Sequence, residues 1–284
     1  MGAYETALVI LIGVHIVLAV SLNLISGLCG QVSLGHAAFF GIGAYTTAVL
    51  SKLGFAIWVT LPASMTFAGI CGAIVGFCSL RVRDDFLAIA TMAAGFLFLG
   101  IVRTSEALGG ELGLSRIPDA GFGDGFVYFV IVCTALVVGF CVYIKRSWLG
   151  YAFSAVGADE IASRSIGINS ADFKLTAFGI GTALAGVAGC LYAYFLGTVD
   201  PQSFGFPVSI MILAMVVIGG MGSIGGSVLA AVLLTLLPEW LRFVSSYKLL
   251  VFGGLLFVMM RFLPRGIAPC LRLDAWRLRT GRAA

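Results

Sequence analysis

Apolar residues run through this chain in blocks long enough to cross a bilayer, and polar residues are confined to the gaps between them. A helix needs about 20 residues to cross a hydrocarbon core of about 30 Å. Blocks that meet or approach this run over 6–26, 33–51, 55–80, 86–105, 126–144, 173–196, 206–221, 226–244 and 248–262. They predict an all-α polytopic integral membrane protein with about 8–9 transmembrane helices, some short or interrupted by glycine. The blocks 206–221 and 248–262 would span roughly 23 Å at the helical rise, so they are taken as short or tilted crossings. Residues 1–262 then form one membrane domain. Its longest polar gaps are 106–125 and 145–172, and 263–284 forms a basic tail.

Composition supports this reading and fixes an orientation. Of 284 residues, 60% are hydrophobic and 11% charged, against about a quarter charged in a soluble domain. Lipid must replace the missing charged skin. A net charge of +4 is too small to suggest nucleic acid. If 145–172 is cytoplasmic and all nine blocks cross, 12 of the 17 Lys and Arg fall inside and 5 outside. That asymmetry puts the N-terminus outside and the C-terminus inside. The tail, with Arg265, Arg272, Arg277 and Arg279, would rest on the anionic inner leaflet. The first block has no basic stretch ahead of it and reads as a retained helix. Met1-Gly2 fits a myristoylation pattern, but an acyl chain would add nothing to the span behind it.

Several chemistries are excluded. The 17 basic and 13 acidic residues all fall in gaps or near block ends, whereas carriers driven by protons or sodium place carboxylates within the membrane. Gly220-Met221-Gly222-Ser223-Ile224-Gly225 has dinucleotide-loop spacing, but no strand precedes it and no Lys follows for a phosphate loop. Gly121-Phe122-Gly123-Asp124 spells the GxGD of intramembrane aspartyl proteases without a second intramembrane Asp to complete the pair. The 7 cysteines form no CxxC pair and read as small apolar packing, with no metal site. The chain is expected to be non-catalytic and without a cofactor; any ATP it depends on binds elsewhere.

Glycine is what remains, 38 residues concentrated where the apolar pattern breaks. Gly27 to His36 interrupts the first two blocks, and Gly219 to Gly226 interrupts the seventh and eighth. Paired interruptions, one in each half, point to a substrate path built from broken helices; tight loops at the cytoplasmic face are the other reading. Candidate path or gate residues are Gln31, Ser33 and His36 in the first, Gly220 and Gly222 in the second, and Asn23 in the first block. His15 and Asn23 lie about 80° apart on a helix, so they share a broad face suited to hydrogen bonds with neighbouring helices. Ala177, Gly181, Ala185, Gly189 and Ala193 recur every fourth residue. Such a stripe lets helices approach closely, and its drift of about 40° per step serves more than one neighbour.

The gap 145–172 mixes charge with Ile161, Ile166 and Ile168, and its middle, 157–166, predicts a short amphipathic helix. Lying on the membrane and docking a soluble partner both suit it.

The run from Gly30-Gln31-Val32-Ser33-Leu34-Gly35-His36 to Gly41-Ile42-Gly43-Ala44-Tyr45 resembles the signature of the high-affinity branched-chain amino acid ABC permeases, M-type subunit. The resemblance continues at Asp159-Glu160-Ile161-Ala162 and Gly167-Ile168-Asn169, through 196–205 and 215–223, and ends at Phe262-Leu263-Pro264-Arg265-Gly266. It implies a bacterial inner-membrane importer subunit for branched-chain or related small amino acids. The implied partners are a homologous H-type permease, two cytoplasmic ATP-binding subunits and a periplasmic substrate-binding protein. It also implies that the helix at about 157–168 docks on the ATPase, with Gly157, Asp159, Glu160, Ala162, Gly167 and Ile168 in the coupling loop. Family members often carry an Arg ahead of the acidic pair, where Gly157-Ala158 stand here. Relatives for urea, short amides or other amino acids share much of the pattern. A passive channel or standalone carrier is the alternative from another class.

Overall fold

A computed structural model describes residues 3–79, 84–240 and 254. Nearly all of the ninth predicted block and the whole basic tail fall outside the described residues, and with them the side of the C-terminus.

The first block forms α1, Ala3–Leu22, continued by a π-helical turn, Asn23–Leu28. Next come α2, His36–Lys52, α3, Ile57–Ser79, α4, Asp84–Thr104, and α5, Phe126–Arg146. The gap 145–172 folds into α6, Trp148–Ala158, and α7, Glu160–Ser165. The last described elements are α8, Ser170–Leu196, α9, Phe206–Gly219, and α10, Ile224–Trp240. Among the described residues, 6 helical stretches are long and apolar enough to cross a membrane: 4–28, 57–78, 86–104, 126–146, 170–196 and 201–219. Two more helices, α2 and α10, have 17 residues each. With 14 residues, α9 rises only about 21 Å; the Pro201–Phe204 turn ahead of it lengthens the apolar stretch to 19 residues.

Two helices organise the bundle. Of the spans, α1 and α8 are the most enclosed, and α3 and α4 the least. The small-residue stripe explains how α8 reaches that position. Gly181 lies against Ile25 and the Ser21 carbonyl, and Gly189 against the α2 backbone at Phe40 and Ala44. Ala177, Ala185 and Ala193 are fully buried between these contacts. Gly186, one step off the stripe, faces α3: a Cβ there would stand 2.5 Å from the Ser64 carbonyl oxygen. Absence of side chains on α8 thus lets three backbones close on it.

The outer helices carry much of the exposed apolar surface. On α3, Phe67, Ile70, Ile74 and Phe77 are all exposed, at helical spacing. On α5, Tyr128, Ile131, Leu136 and Tyr143 are exposed in the same way. Away from the loop containing α6 and α7, Leu114 and Val199 exchange two backbone hydrogen bonds of 2.9 and 2.8 Å, tying the 105–122 connection to the α8–α9 turn. Phe204 meets Phe40 edge-on at 5.0 Å and Tyr45 at 6.0 Å, securing that turn to α2.

The loop differs from expectation in one respect. Gly157 and Ala158 close α6 instead of opening the amphipathic helix, because Asp159 adopts extended backbone (φ −157°, ψ 109°) and caps α7. Its Oδ1 accepts from the Ile161 and Ala162 N–H groups, both at 2.9 Å. An aspartate that satisfies the first amides of the next helix ends the one before it.

Candidate functional site

The two glycine interruptions, far apart in sequence, meet in space. Asn23 opens the π-helical turn of the first, and its Oδ1 accepts the Gly222 N–H of the second at 2.8 Å. From the opposite side Lys145, at the end of α5, donates its ammonium to the Gly222 carbonyl at 2.6 Å. Both polar groups of one peptide residue are therefore held by side chains of other elements. Gly222 has φ +78°, and a Cβ there would stand 3.0 Å from the Gly27 carbonyl oxygen, so only glycine suits the turn. Gly220 caps α9 with its N–H on the Val217 carbonyl at 3.2 Å.

The remainder of the first interruption is an irregular strap, 29–35, pinned from several helices. Ser26 Oγ donates to the Gln31 carbonyl at 2.8 Å, and the Gln31 N–H reaches Ile25 at 3.2 Å. The Leu34 N–H is taken by Thr91 Oγ1 of α4 and the Ala37 N–H by Ser209 Oγ of α9, both at 3.0 Å. These hydroxyls satisfy one amide of the strap and one in the first turn of α2, so irregular backbone is buried without orphaned N–H groups at those points.

His36, the first residue of α2, is fully buried and pairs its Nε2 with Ser21 Oγ at 2.8 Å. The Ser21 hydroxyl donates to the Leu18 carbonyl, also at 2.8 Å. The serine proton is thereby committed, so His36 Nε2–H donates and Nδ1 is left as an acceptor. The same logic applies to His15. Thr235 Oγ1 donates to Ala231 at 2.6 Å, so His15 Nδ1–H donates to Thr235 at 2.9 Å and ties α1 to α10.

Six buried side-chain polar atoms among the described residues have no partner. They are Asn23 Nδ2, Gln31 Oε1, Ser33 Oγ, His36 Nδ1, Thr134 Oγ1 and Ser227 Oγ. Gln31, Ser33 and His36 lie in the first interruption, Asn23 four residues ahead of it, and Ser227 directly after the second.

The loop adjoins this junction. Gly30 has φ +73°, and a Cβ on it would stand 3.2 Å from the Gly157 Cα. A Cβ on Gly157 would stand 2.8 Å from the Leu28 carbonyl oxygen. The last turn of α6 therefore rests directly on the backbone of the first interruption. Beyond it, Glu160 binds Arg164 and Lys174, each at 2.7 Å, with the Lys174 side chain only 7% exposed. Gly167 turns the chain at φ +88°, its N–H on the Arg164 carbonyl at 3.0 Å, and Ile168 packs partly buried on the core. Ile161 and Ile166 are 80% and 75% exposed.

Asn23 and Gly222 are thus brought into direct contact, and Gly157 touches the same segment. Gln31, Ser33 and His36 are buried beside their own helices, while Asp159, Ala162 and Gly167 stand exposed on the loop. Sequence reasoning missed Ser21, Thr91, Lys145 and Ser209. Three of these are hydroxyls inside apolar blocks, and their polarity in such surroundings was the available signal.

Helices without mid-span charge, broken at two contacting glycine segments, define a polytopic membrane protein of the transport type. The chain belongs to the family described as branched-chain amino acid transport system / permease component, whose model matches residues 6–260. It is 37% identical over 302 residues to the permease protein LivM of Salmonella typhimurium, covering 95% of this chain and 71% of that one. It is 26% identical over 279 residues to BraD of Pseudomonas aeruginosa, covering 89% and 91%. Both are named high-affinity branched-chain amino acid transport system permease proteins. Among solved structures, PsaBC from Streptococcus pneumoniae in complex with Fab matches with a TM-score of 0.52 at 16% identity, over 96% of each chain. That match speaks to the fold alone.

Proposed function

We propose that this chain is a permease subunit of an ATP-binding-cassette importer, carrying branched-chain or closely related small amino acids inward across a bacterial inner membrane. The observation that carries the reading is the junction itself: two broken segments gripping one another between helices without mid-span charge, with the α6–α7 loop resting against them. A conduit without a coupling carboxylate or nucleotide site must be powered from outside. The loop provides the route, since Ile161 and Ile166 present apolar side chains with no cover from the other described residues. ATP hydrolysis then belongs to two cytoplasmic subunits, one of which docks on α7. An H-type permease completes the membrane pore, and a periplasmic binding protein delivers substrate. The loop side is cytoplasmic and the N-terminus periplasmic.

Reconstitution tests this. Proteoliposomes containing this chain, its paired permease and the two ATPases should take up leucine, delivered by the binding protein, only when ATP is supplied. This chain alone should transport nothing. Uptake by the chain alone without nucleotide would establish the channel or carrier class instead, and competition by urea or short amides in place of leucine would reassign the substrate.

A further inference from the structure

Helices α2, α3 and α4 do not close on one another. They bound a cavity of about 820 Å³. Its floor is one stripe of α2, Ala38, Ile42, Tyr45 and Val49. Phe67 and Ile70 of α3 form one wall, Leu97 and Ile101 of α4 the other, and all four are more than half exposed, so the cavity opens between α3 and α4. The gap follows from how the walls are held. Glycine draws α3 onto α8: a Cβ at Gly72 would overlap the Thr182 side chain, and one at Gly186 would crowd the Ser64 carbonyl. Helix α4 is drawn onto α2 instead, where a Cβ at Gly35 would overlap the Thr91 carbonyl and one at Gly41 would meet the Phe98 ring. Each wall is fixed to a different neighbour.

The lining has little polar chemistry to offer. Its hydroxyls donate within the protein: Thr46 to the Ile42 carbonyl at 2.7 Å, Thr66 to Pro62 and Ala63 at 2.9 and 3.0 Å, and Tyr45 to Val199 at 3.5 Å. Among the described residues no charged side chain lines the cavity. An amino acid head would find neither a counter-charge nor a free donor there, and its desolvation would go uncompensated. Hydrocarbon needs neither. The length fits hydrocarbon too. The cavity follows α2 from Ala38 to Leu50 and α3 from Ala63 to Val75, roughly 18 Å of helix in each case. One leaflet contributes about 15 Å, half of the bilayer core, whereas a partner's transmembrane helix needs a groove of about 30 Å.

Charge marks one end. Lys52 closes α2 two residues beyond Leu50, and Arg103 follows Val102 in the last turn of α4, both at the end away from the α6–α7 loop. Both are exposed, and neither forms an ion pair or side-chain hydrogen bond among the described residues. Glu106, three positions after Arg103, is paired with neither. Cationic side chains at a helix end reach the headgroup level while their stems stay on apolar surface.

We infer that this crevice is a binding site for an anionic phospholipid, with an acyl chain laid along the α2 stripe and the phosphate held at the rim by Lys52 and Arg103. The lipid fills the space that α3 and α4 leave and completes the packing of the bundle there. The inference needs only the membrane fold and stands apart from the substrate reading.

Native mass spectrometry of the full chain, purified in mild detergent and supplied with phosphatidylglycerol or phosphatidylcholine, tests it. The parent should retain one phospholipid per chain and prefer phosphatidylglycerol. Ile42→Trp fills the floor and Leu97→Trp the exposed wall, where a larger side chain is accommodated even if the floor variant fails to fold. Displacing even two methylenes lowers retention roughly tenfold. Leu136→Trp, on the exposed face of α5, should leave retention unchanged. Lys52→Gln and Arg103→Gln should each weaken the preference for phosphatidylglycerol roughly fivefold, the share of one cation. Retention unaffected by Leu97→Trp, or lost equally in Leu136→Trp, means unspecific surface lipid and overturns the site. Equal retention of the two lipids by the parent overturns the role of the cations. Loss of the lipid when the paired permease is added gives the crevice to a protein partner and overturns the inference as well.

Discussion

Asn23 and Gly222 stand 199 positions apart in the chain and share a 2.8 Å hydrogen bond from the Gly222 N–H to the asparagine Oδ1. The bond closes the bundle across its two halves. Asn23→Leu keeps the volume but leaves the Gly222 N–H without an acceptor in a buried site. It also removes the unsatisfied Nδ2, so the net loss should fall toward the lower end of the about 1–3 kcal/mol expected for an orphaned group. Thermal unfolding of the purified chain in detergent measures it.

Gly157 predicts a separation of two activities. A Cβ there would stand 2.8 Å from the Leu28 carbonyl oxygen and 3.0 Å from the Cys29 carbonyl carbon, both backbone atoms that cannot swing aside. In Gly157→Ala the end of α6 must back away from the first interruption. ATP hydrolysis by the assembled importer should continue while uptake per ATP falls. Retention of the parent's uptake-to-hydrolysis ratio would falsify a mechanical role for this contact.

Glu160 has two cationic partners of different character. Arg164 sits one turn away with its side chain 64% exposed, and Lys174 is almost enclosed. The exposed i,i+4 pair is worth about 0.3–0.5 kcal/mol. Removing the carboxylate beside an enclosed ammonium costs more than that. Arg164→Ala should barely change the melting temperature, and Glu160→Gln should lower it clearly. A double-mutant cycle between Glu160 and Lys174, compared with one between Glu160 and Arg164, gives the two couplings separately.

Much of this architecture was legible in the sequence because lipid imposes it. Blocks without charge must be helical where the bilayer surrounds them, and eight of the nine expected blocks correspond to α1–α5 and α8–α10 within a few residues. The glycine interruptions stood out against such uniform surroundings for the same reason. Helix α6 did not, because its buried face holds Gly150 and Ala152 beside Phe153 and Val156, and small residues add little to a hydrophobic pattern. The meeting of Asn23 with Gly222 was also hidden. Local periodicity carries no information on which of two distant turns will touch. Lys145 resembled an ordinary interfacial anchor at a helix end, and only the fold shows its ammonium on the Gly222 carbonyl.

Glycines in the two interruptions should not be equally sensitive, and the contrast checks the junction against simple loop geometry. A Cβ at Gly27 would overlap Asn23 Oδ1 and the Gly222 N–H together, the two atoms of the bond that joins the halves. Gly27→Ala must break that bond or push the 220–223 turn off the first interruption. Gly225, in the first turn of α10, has nothing within 4 Å of the equivalent position. Alanine there meets open space and gains the roughly 0.5–1 kcal/mol that glycine costs inside a helix. If the interruptions were only flexible connections, both substitutions would be mild. With the junction gripped as described, Gly27→Ala should reduce folded protein in the membrane and abolish uptake, whereas Gly225→Ala should leave uptake intact and raise the melting temperature slightly. Fluorescence-detected size exclusion and proteoliposome uptake, run side by side on the two variants, decide between them.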